Sequence, residues 1–167
     1  YVKPDILAFG KKAQVCGILA SKRVDDIETN CFHVSSRINS TWGGNLVDMV
    51  RFGRILQVIE EDNLVKNAAT VGNYLQNKIE TLSDQFEHVT NPRGKGLFCA
   101  VDFPNTHARD SVIKECFNNN LMILSCGEQT MRFRPPLTVN KQQIDEGMDI
   151  IQKSIKSAMD KCPALKS

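Results

Sequence analysis

Leu97-Phe98-Cys99-Ala100-Val101-Asp102-Phe103-Pro104-Asn105-Thr106 is the stretch that decides the fold. Seven mostly apolar residues, with Val101 and two phenylalanines among them, have the length and composition of a buried strand. Pro104-Asn105 ends that strand, and Thr106 can cap a helix whose inner face is Val112, Ile113, Cys116 and Phe117. Asn118-Asn119-Asn120 stops the helix. Leu121 to Leu124 then reads as a short strand, Cys126-Gly127-Glu128 as a turn and Thr130 to Arg134 as another strand, which Pro135-Pro136 forbids from continuing. Asn140 with Gln143 three residues later has the spacing of a capping box, and Ile144, Met148, Ile151, Ile155 and Met159 carry one face of a last helix. Strand and helix alternate from 97 to 159, which describes a small α/β or α+β domain.

Upstream, Asn91 to Gly96 is rich in turn residues, and before it Leu64, Ala68, Val71, Leu75, Ile79, Leu82 and Phe86 recur in steps of three and four. That helix should run to Gln85. An earlier one shows the same spacing at Leu46, Met49, Val50, Gly53, Leu56 and Ile59, and should bury that stripe; Glu60 to Asn63 interrupts it. Residues 1–63 and 64–167 are therefore expected to form two parts. Tyr1 is not a methionine and Ile6 to Phe9 follow closely as an apolar run, so the sequence is expected to begin inside a longer protein, on a strand buried in a parallel sheet.

The 167 residues, 41% apolar and 24% charged with a net charge of +2, exclude disorder and collagen-like folds. No apolar run approaches the roughly 18 residues of a membrane span, and no signal-peptide pattern opens the chain, so a soluble protein is expected. Nucleic acid is discounted because Lys and Arg are not clustered. The six cysteines form no C-x-x-C pair and only three histidines are present, so no zinc spacing exists, and reduced thiols in a cytoplasm are expected.

Three segments can carry chemistry. Lys11 and Lys12 follow an apolar strand and Gly10. The pair reads either as surface charge or as an amine at the C-terminal end of a strand, where open α/β sheets bind ligands. A desolvated lysine there attacks carbonyls, as pyridoxal phosphate chemistry requires. Asn39-Ser40-Thr41-Trp42-Gly43-Gly44-Asn45 opens the first long helix, as an ordinary cap or as a phosphate-binding N-terminus. In Thr130 to Arg134 the strand period sends Met131 and Phe133 to one face and Arg132 and Arg134 to the other. These arginines have either cross-strand acidic partners or a bound carboxylate to clamp. His33, His88, His107 and Cys16 receive no role.

Asp5 to Gly17, Ser40 to Asn45 and Met131 to Leu137, in that order, resemble the class III aminotransferases across essentially the whole chain. Lys11 to Gly17 and Asn39 to Leu46 are most similar to the branch that takes the terminal amine of L-lysine; branches acting on 4-aminobutyrate or ornithine share the layout. The resemblance implies the end of a fold-type I large domain with its interdomain helix (1–63), then a small α/β (α+β) C-terminal domain (64–167). It implies pyridoxal 5′-phosphate bound covalently by Lys11, a phosphate contact from Thr41 to the cofactor of the partner subunit in a homodimer, and a substrate carboxylate on Arg132. Arg134 lies where relatives differ. The implied reaction passes the amino group of L-lysine to 2-oxoglutarate, giving 2-aminoadipate 6-semialdehyde and glutamate. Family members carry upstream an aspartate for the pyridine nitrogen, a phosphate loop and a stacking aromatic ring. Without them this piece is expected not to transaminate alone; the alternative is a non-catalytic module that completes an enzyme by docking.

Overall fold

The chain divides between Asp62 and Asn63 into two units, at the point where the acidic run interrupts the helical stripe. Asn63 adopts the left-handed conformation, φ 52°, which asparagine tolerates better than most residues and which ends the helical run before it. The computed structural model describes residues 2–13, 15–38, 41, 43–162 and 165, without the side chain of Lys12.

In the first unit, strand β1 (Ile6–Phe9) turns back through a short 3-10 segment, Lys11–Ala13, into β2 (Gly17–Ala20). The two pair antiparallel, Ile6 opposite Ala20 and Phe9 opposite Gly17. Beyond the open end of the hairpin, the Ser21 N–H donates to the Asp5 carbonyl at 2.8 Å and the Ser21 hydroxyl to Asp5 Oδ1 at 3.0 Å. Arg23 donates to Asp5 Oδ2 at 3.0 Å. A Cβ at Gly17 would meet the Phe9 ring, which would have to shift to admit it. That ring in turn stacks on Phe52 of helix α1 (Leu46–Glu61), centroids 5.3 Å apart. Among the described residues β1 pairs with β2 alone, the tight turn after Gly10 reversing the chain, and a two-stranded sheet covers neither of its own faces, so the apolar run expected in a buried strand is mostly exposed here. The α1 stripe is likewise uncovered. No α1 side chain is buried, and Val50 is 75% exposed.

Between β2 and α1 the loop closes on Asn30, a buried amide that sequence periodicity did not mark. Asn30 Nδ2 donates to the carbonyls of Val24 and Ile27 at 3.1 and 2.9 Å. Its Oδ1 accepts from the N–H groups of Phe32 and His33 at 2.9 and 3.3 Å. One amide thus replaces the ladder that a loop lacks. With so little apolar burial upstream, limited proteolysis should cleave residues 1–45 before any bond within 97–159. A time course followed by mass spectrometry checks this, and equal protection of both stretches would refute it.

The second unit is a four-stranded antiparallel sheet, β3 (Thr90–Lys95), β4 (Phe98–Asp102), β5 (Leu124–Cys126) and β6 (Thr130–Phe133), in the order β3-β4-β6-β5. Helix α2 (Leu64–Gln85) packs on β3 and β4, and α3 (Thr106–Asn118) on β5 and β6; α4 (Lys141–Lys161) lies against both helices. The core between them contains Leu82, Val101, Val112, Cys116 and Met131, all fully buried. Near-complete burial of a large apolar side chain stabilises by about 1.5–3 kcal/mol.

Local chemistry sets the element ends. Asn140 and Gln143 form the expected capping box, each side chain bonded to the other's backbone N–H. α3 is capped by Asn105, whose Oδ1 accepts the Ala108 N–H at 2.9 Å, rather than by Thr106. Phe117, expected inside, is 67% exposed, because the buried stripe of α3 runs through Ala108, Val112 and Cys116. The strand after α3 is displaced to Leu124–Cys126 from the expected Leu121–Leu124.

Asn91 to Gly96, expected to be a turn, is mostly the edge strand β3. Pro92 is accommodated there because the register shifts between Thr90 and Arg93, with Asn91 left-handed, and an edge strand can spare an N–H. Gly72 on α2 faces the turn from β3 to β4 so closely that a Cβ would fall on the Gly96 backbone. Asn67, also on α2, donates to the carbonyls of Leu137 and Val139 at 2.7 and 3.0 Å, and so holds the loop after Pro135-Pro136.

Candidate active site

Lys11 stands immediately after β1 and Gly10, exposed, as the first residue of the 3-10 turn. Its φ of 54° puts a side-chain-bearing residue in the left-handed region, a conformation that costs about 1–3 kcal/mol and clusters at functional positions. The Lys11 amine has no ion-pair partner among the described residues. Thr41 is exposed in the turn before α1. Gly44 in that turn has φ 74°, and Asn45 caps the helix by accepting the Val47 N–H at 3.0 Å. Asn39, Ser40 and Trp42 of the same segment lie outside the described residues.

Arg132 sits in the second unit on β6, between Ala100 of β4 and Leu124 of β5. The strand period operates as expected: Met131 and Phe133 are buried, Arg132 is half-buried and Arg134 exposed. Neither cross-strand neighbour of Arg132 is acidic, and its Nε is buried without an acceptor among the described residues. An unsatisfied buried donor costs about 1–3 kcal/mol. Arg134 instead lies over the Phe98 ring, 5.8 Å from its centroid. Arg132 lines two depressions, one of ≈ 270 Å³ beside Ile123, Phe133, Ile144 and Met148, and one of ≈ 400 Å³ on the helix-free sheet face.

Polar supports around Arg132 carry no periodic signal and were not anticipated. Arg109 on α3 is buried; Nε donates to Asp110 at 2.6 Å and Nη1 to the carbonyls of Gly127 and Thr130 at 3.2 and 3.3 Å. It pins the β5–β6 turn. Asp102 on β4 accepts from Thr130 Oγ1 at 2.5 Å, Arg93 Nη2 at 2.9 Å and Asn91 Nδ2 at 2.8 Å. Burial alone would raise the Asp102 pKa, but the hydrogen bonds from Thr130, Arg93 and Asn91 together outweigh it and hold the carboxyl below its ordinary value.

Because the folded carboxyl is the stronger acid, the unfolded chain binds more protons in the intervening window. The contribution of Asp102 is complete above its unfolded pKa and disappears as pH falls through the folded one. The gap in urea midpoint between the parent and Asp102→Asn should therefore be constant near neutrality and shrink below about pH 4. A gap that persists at lower pH would refute the coupling.

Among the described residues no helix is long and apolar enough to cross a membrane, and no three His, Cys, Asp or Glu are grouped to hold a metal ion. The six cysteines are free.

Comparison with known proteins shows the class. Residues 1–155 match the class-III aminotransferase model, and the chain belongs to that family. It is 46% identical over 158 residues to the L-lysine-epsilon aminotransferase of Amycolatopsis lactamdurans, covering 93% of this chain and 35% of that protein. Lysine aminotransferase from M. tuberculosis superposes with a TM-score of 0.89 at 46% identity, over 94% of this chain and 36% of that one. The ornithine delta-aminotransferase of Plasmodium falciparum gives 0.82 at 28% identity, over 96% and 41%. The mixed helix-and-strand fold is thus the one these aminotransferases carry. The chain spans about a third of the length of the curated relatives it matches.

Proposed function

We propose that this chain is the C-terminal part of a pyridoxal-phosphate-dependent aminotransferase that moves the terminal amino group of L-lysine to 2-oxoglutarate, giving 2-aminoadipate 6-semialdehyde and glutamate. The observation that carries this reading is the 46% identity over 93% of the chain with an L-lysine-epsilon aminotransferase, against 28% with the ornithine delta-aminotransferase.

The residues present fit the cofactor in kind: an exposed lysine with no ion-pair partner among the described residues, held in a costly left-handed conformation at a strand end, and a threonine hydroxyl in the turn before a helix N-terminus. Pyridoxal 5′-phosphate, when bound, supplies the carbonyl that captures an amine and the ring that draws electrons from the adjacent carbon. Lys11 Nζ would hold the cofactor there. As a free amine it then moves the proton on the substrate carbon that bears the nitrogen. The Thr41 hydroxyl would contact the phosphate of the cofactor in the partner subunit of a homodimer, and Arg132 would pair with the carboxylate of 2-oxoglutarate. Lys12 is a neighbour of the reacting lysine and takes no part. The free thiols suit a cytoplasmic enzyme.

The test is expression of the full reading frame with the cofactor, followed by assay of glutamate formation from 2-oxoglutarate with L-lysine, ornithine or 4-aminobutyrate as donor. L-lysine should give the highest kcat/KM, and the 167-residue chain alone should give none. A preference for either other donor overturns the substrate assignment.

A further inference from the structure

On the helix-free face of the sheet, Ala100 lies between two arginines, paired with Arg93 on β3 and with Arg132 on β6. Asp102, two residues further along β4, pairs with Thr130. Its side chain is therefore a diagonal neighbour of both guanidiniums, a separation of about 7–8 Å that long side chains can span. The geometry is asymmetric. Arg93 takes the carboxylate, Nη2 to Oδ1 at 2.9 Å, and braces itself through Nη1 on the Asn91 carbonyl at 2.9 Å. Asn91 and Thr130 supply the other two hydrogen bonds. Arg132 donates no hydrogen bond to Asp102, and its Nε is buried without an acceptor among the described residues. The depression of ≈ 400 Å³ is lined by both arginines.

We propose that Arg93 is a positioning residue for the carboxylate substrate: by holding Asp102 it keeps that carboxylate off Arg132 and leaves the Arg132 guanidinium free for 2-oxoglutarate. Asn91 and Thr130 are neutral and cannot balance the charge of a carboxylate that is largely buried. A buried charge without a partner is costly, so once Arg93 is removed Asp102 turns to the other cation within diagonal reach, Arg132. The occupied guanidinium then competes poorly for substrate. The inference rests on the reading of Arg132 as the residue that binds the substrate carboxylate.

The test uses the full-length enzyme saturated with cofactor. Arg93→Ala should raise KM for 2-oxoglutarate about tenfold, the scale of a competing ion pair at a partly exposed site, with a smaller change in kcat. Adding Asp102→Asn to Arg93→Ala should return KM to within about twofold of the parent, because the competing charge is gone. If the double variant stays as weak as Arg93→Ala, Arg93 touches the substrate itself and the proposal is overturned. It is also overturned if Arg93→Ala lowers kcat and the unfolding midpoint while KM stays fixed, the signature of a brace. Should Arg93→Ala fail to fold, two further variants decide: Asp102→Asn alone and Arg93→Lys, which keeps the charge, should both retain a near-parent KM, and a tenfold rise in either overturns the proposal. Arg132→Ala separates the two readings. If it leaves KM for 2-oxoglutarate unchanged, the carboxylate assignment itself fails; if it raises KM and Arg93→Ala does not, the inference alone fails.

Discussion

Lys11→Ala in the full-length enzyme is expected to lower the rate of glutamate formation by about 10⁴-fold, the upper range for a group that both bonds the reactant and moves its proton. The size of the effect follows from two jobs resting on one amine. Gly10 precedes Lys11, and its φ of 54° turns it out of the line of β1. Lys12→Ala should leave the rate near that of the parent, because one amine at the turn suffices. Borohydride reduction of the cofactor-loaded enzyme followed by peptide mapping checks the assignment directly. The reduced adduct is expected on Lys11, and an adduct on Lys12, or none between residues 5 and 17, would refute it.

Arg132→Ala should lower catalytic efficiency toward 2-oxoglutarate by roughly 30-fold to several thousandfold, which corresponds to the about 2–5 kcal/mol lost when one partner of a desolvated charge pair is removed. The half-buried position between Ala100 and Leu124 places the guanidinium at the upper end of what a surface arginine could deliver. Arg132→Lys should rescue poorly, since it keeps the charge and loses the planar fork. Arg134→Ala should cost far less, because its side chain is exposed and lies over Phe98. Steady-state kinetics with 2-oxoglutarate, and with an amine donor that has no carboxylate, make the distinction. Equal damage to both half-reactions would mean that Arg132 supports the fold rather than the substrate.

What could be read from the sequence was whatever repeats. The steps of three and four that carry α2 and α4, the alternation of Met131, Arg132 and Phe133, and the Asn140–Gln143 box are periodic or short-range features, and each appears where its spacing put it. Strand β3 was hidden because Pro92, Gly94 and Gly96 are turn formers, whereas here the proline occupies a bulge on an edge and Gly94 makes room for Cys99. Phe117 misled for the opposite reason, since apolar spacing records a face without recording what covers it. The candidate reacting residues were visible as local motifs. Their supports were not: Asp102 and Arg109 are single polar side chains that reach Thr130, 28 and 21 residues away along the chain, and Asn30 closes a local loop through backbone groups that follow no period.

The meeting of Gly72 with Gly96 limits how this protein can be engineered. Replacing a helical glycine by alanine is a standard route to a sturdier helix, with a gain of about 1 kcal/mol from propensity alone. At Gly72 the added methyl would land on the main chain of the β3–β4 turn, which has no rotamer with which to yield. A stabilised variant must therefore draw its gains from other positions, and a library that varies α2 should leave residue 72 fixed.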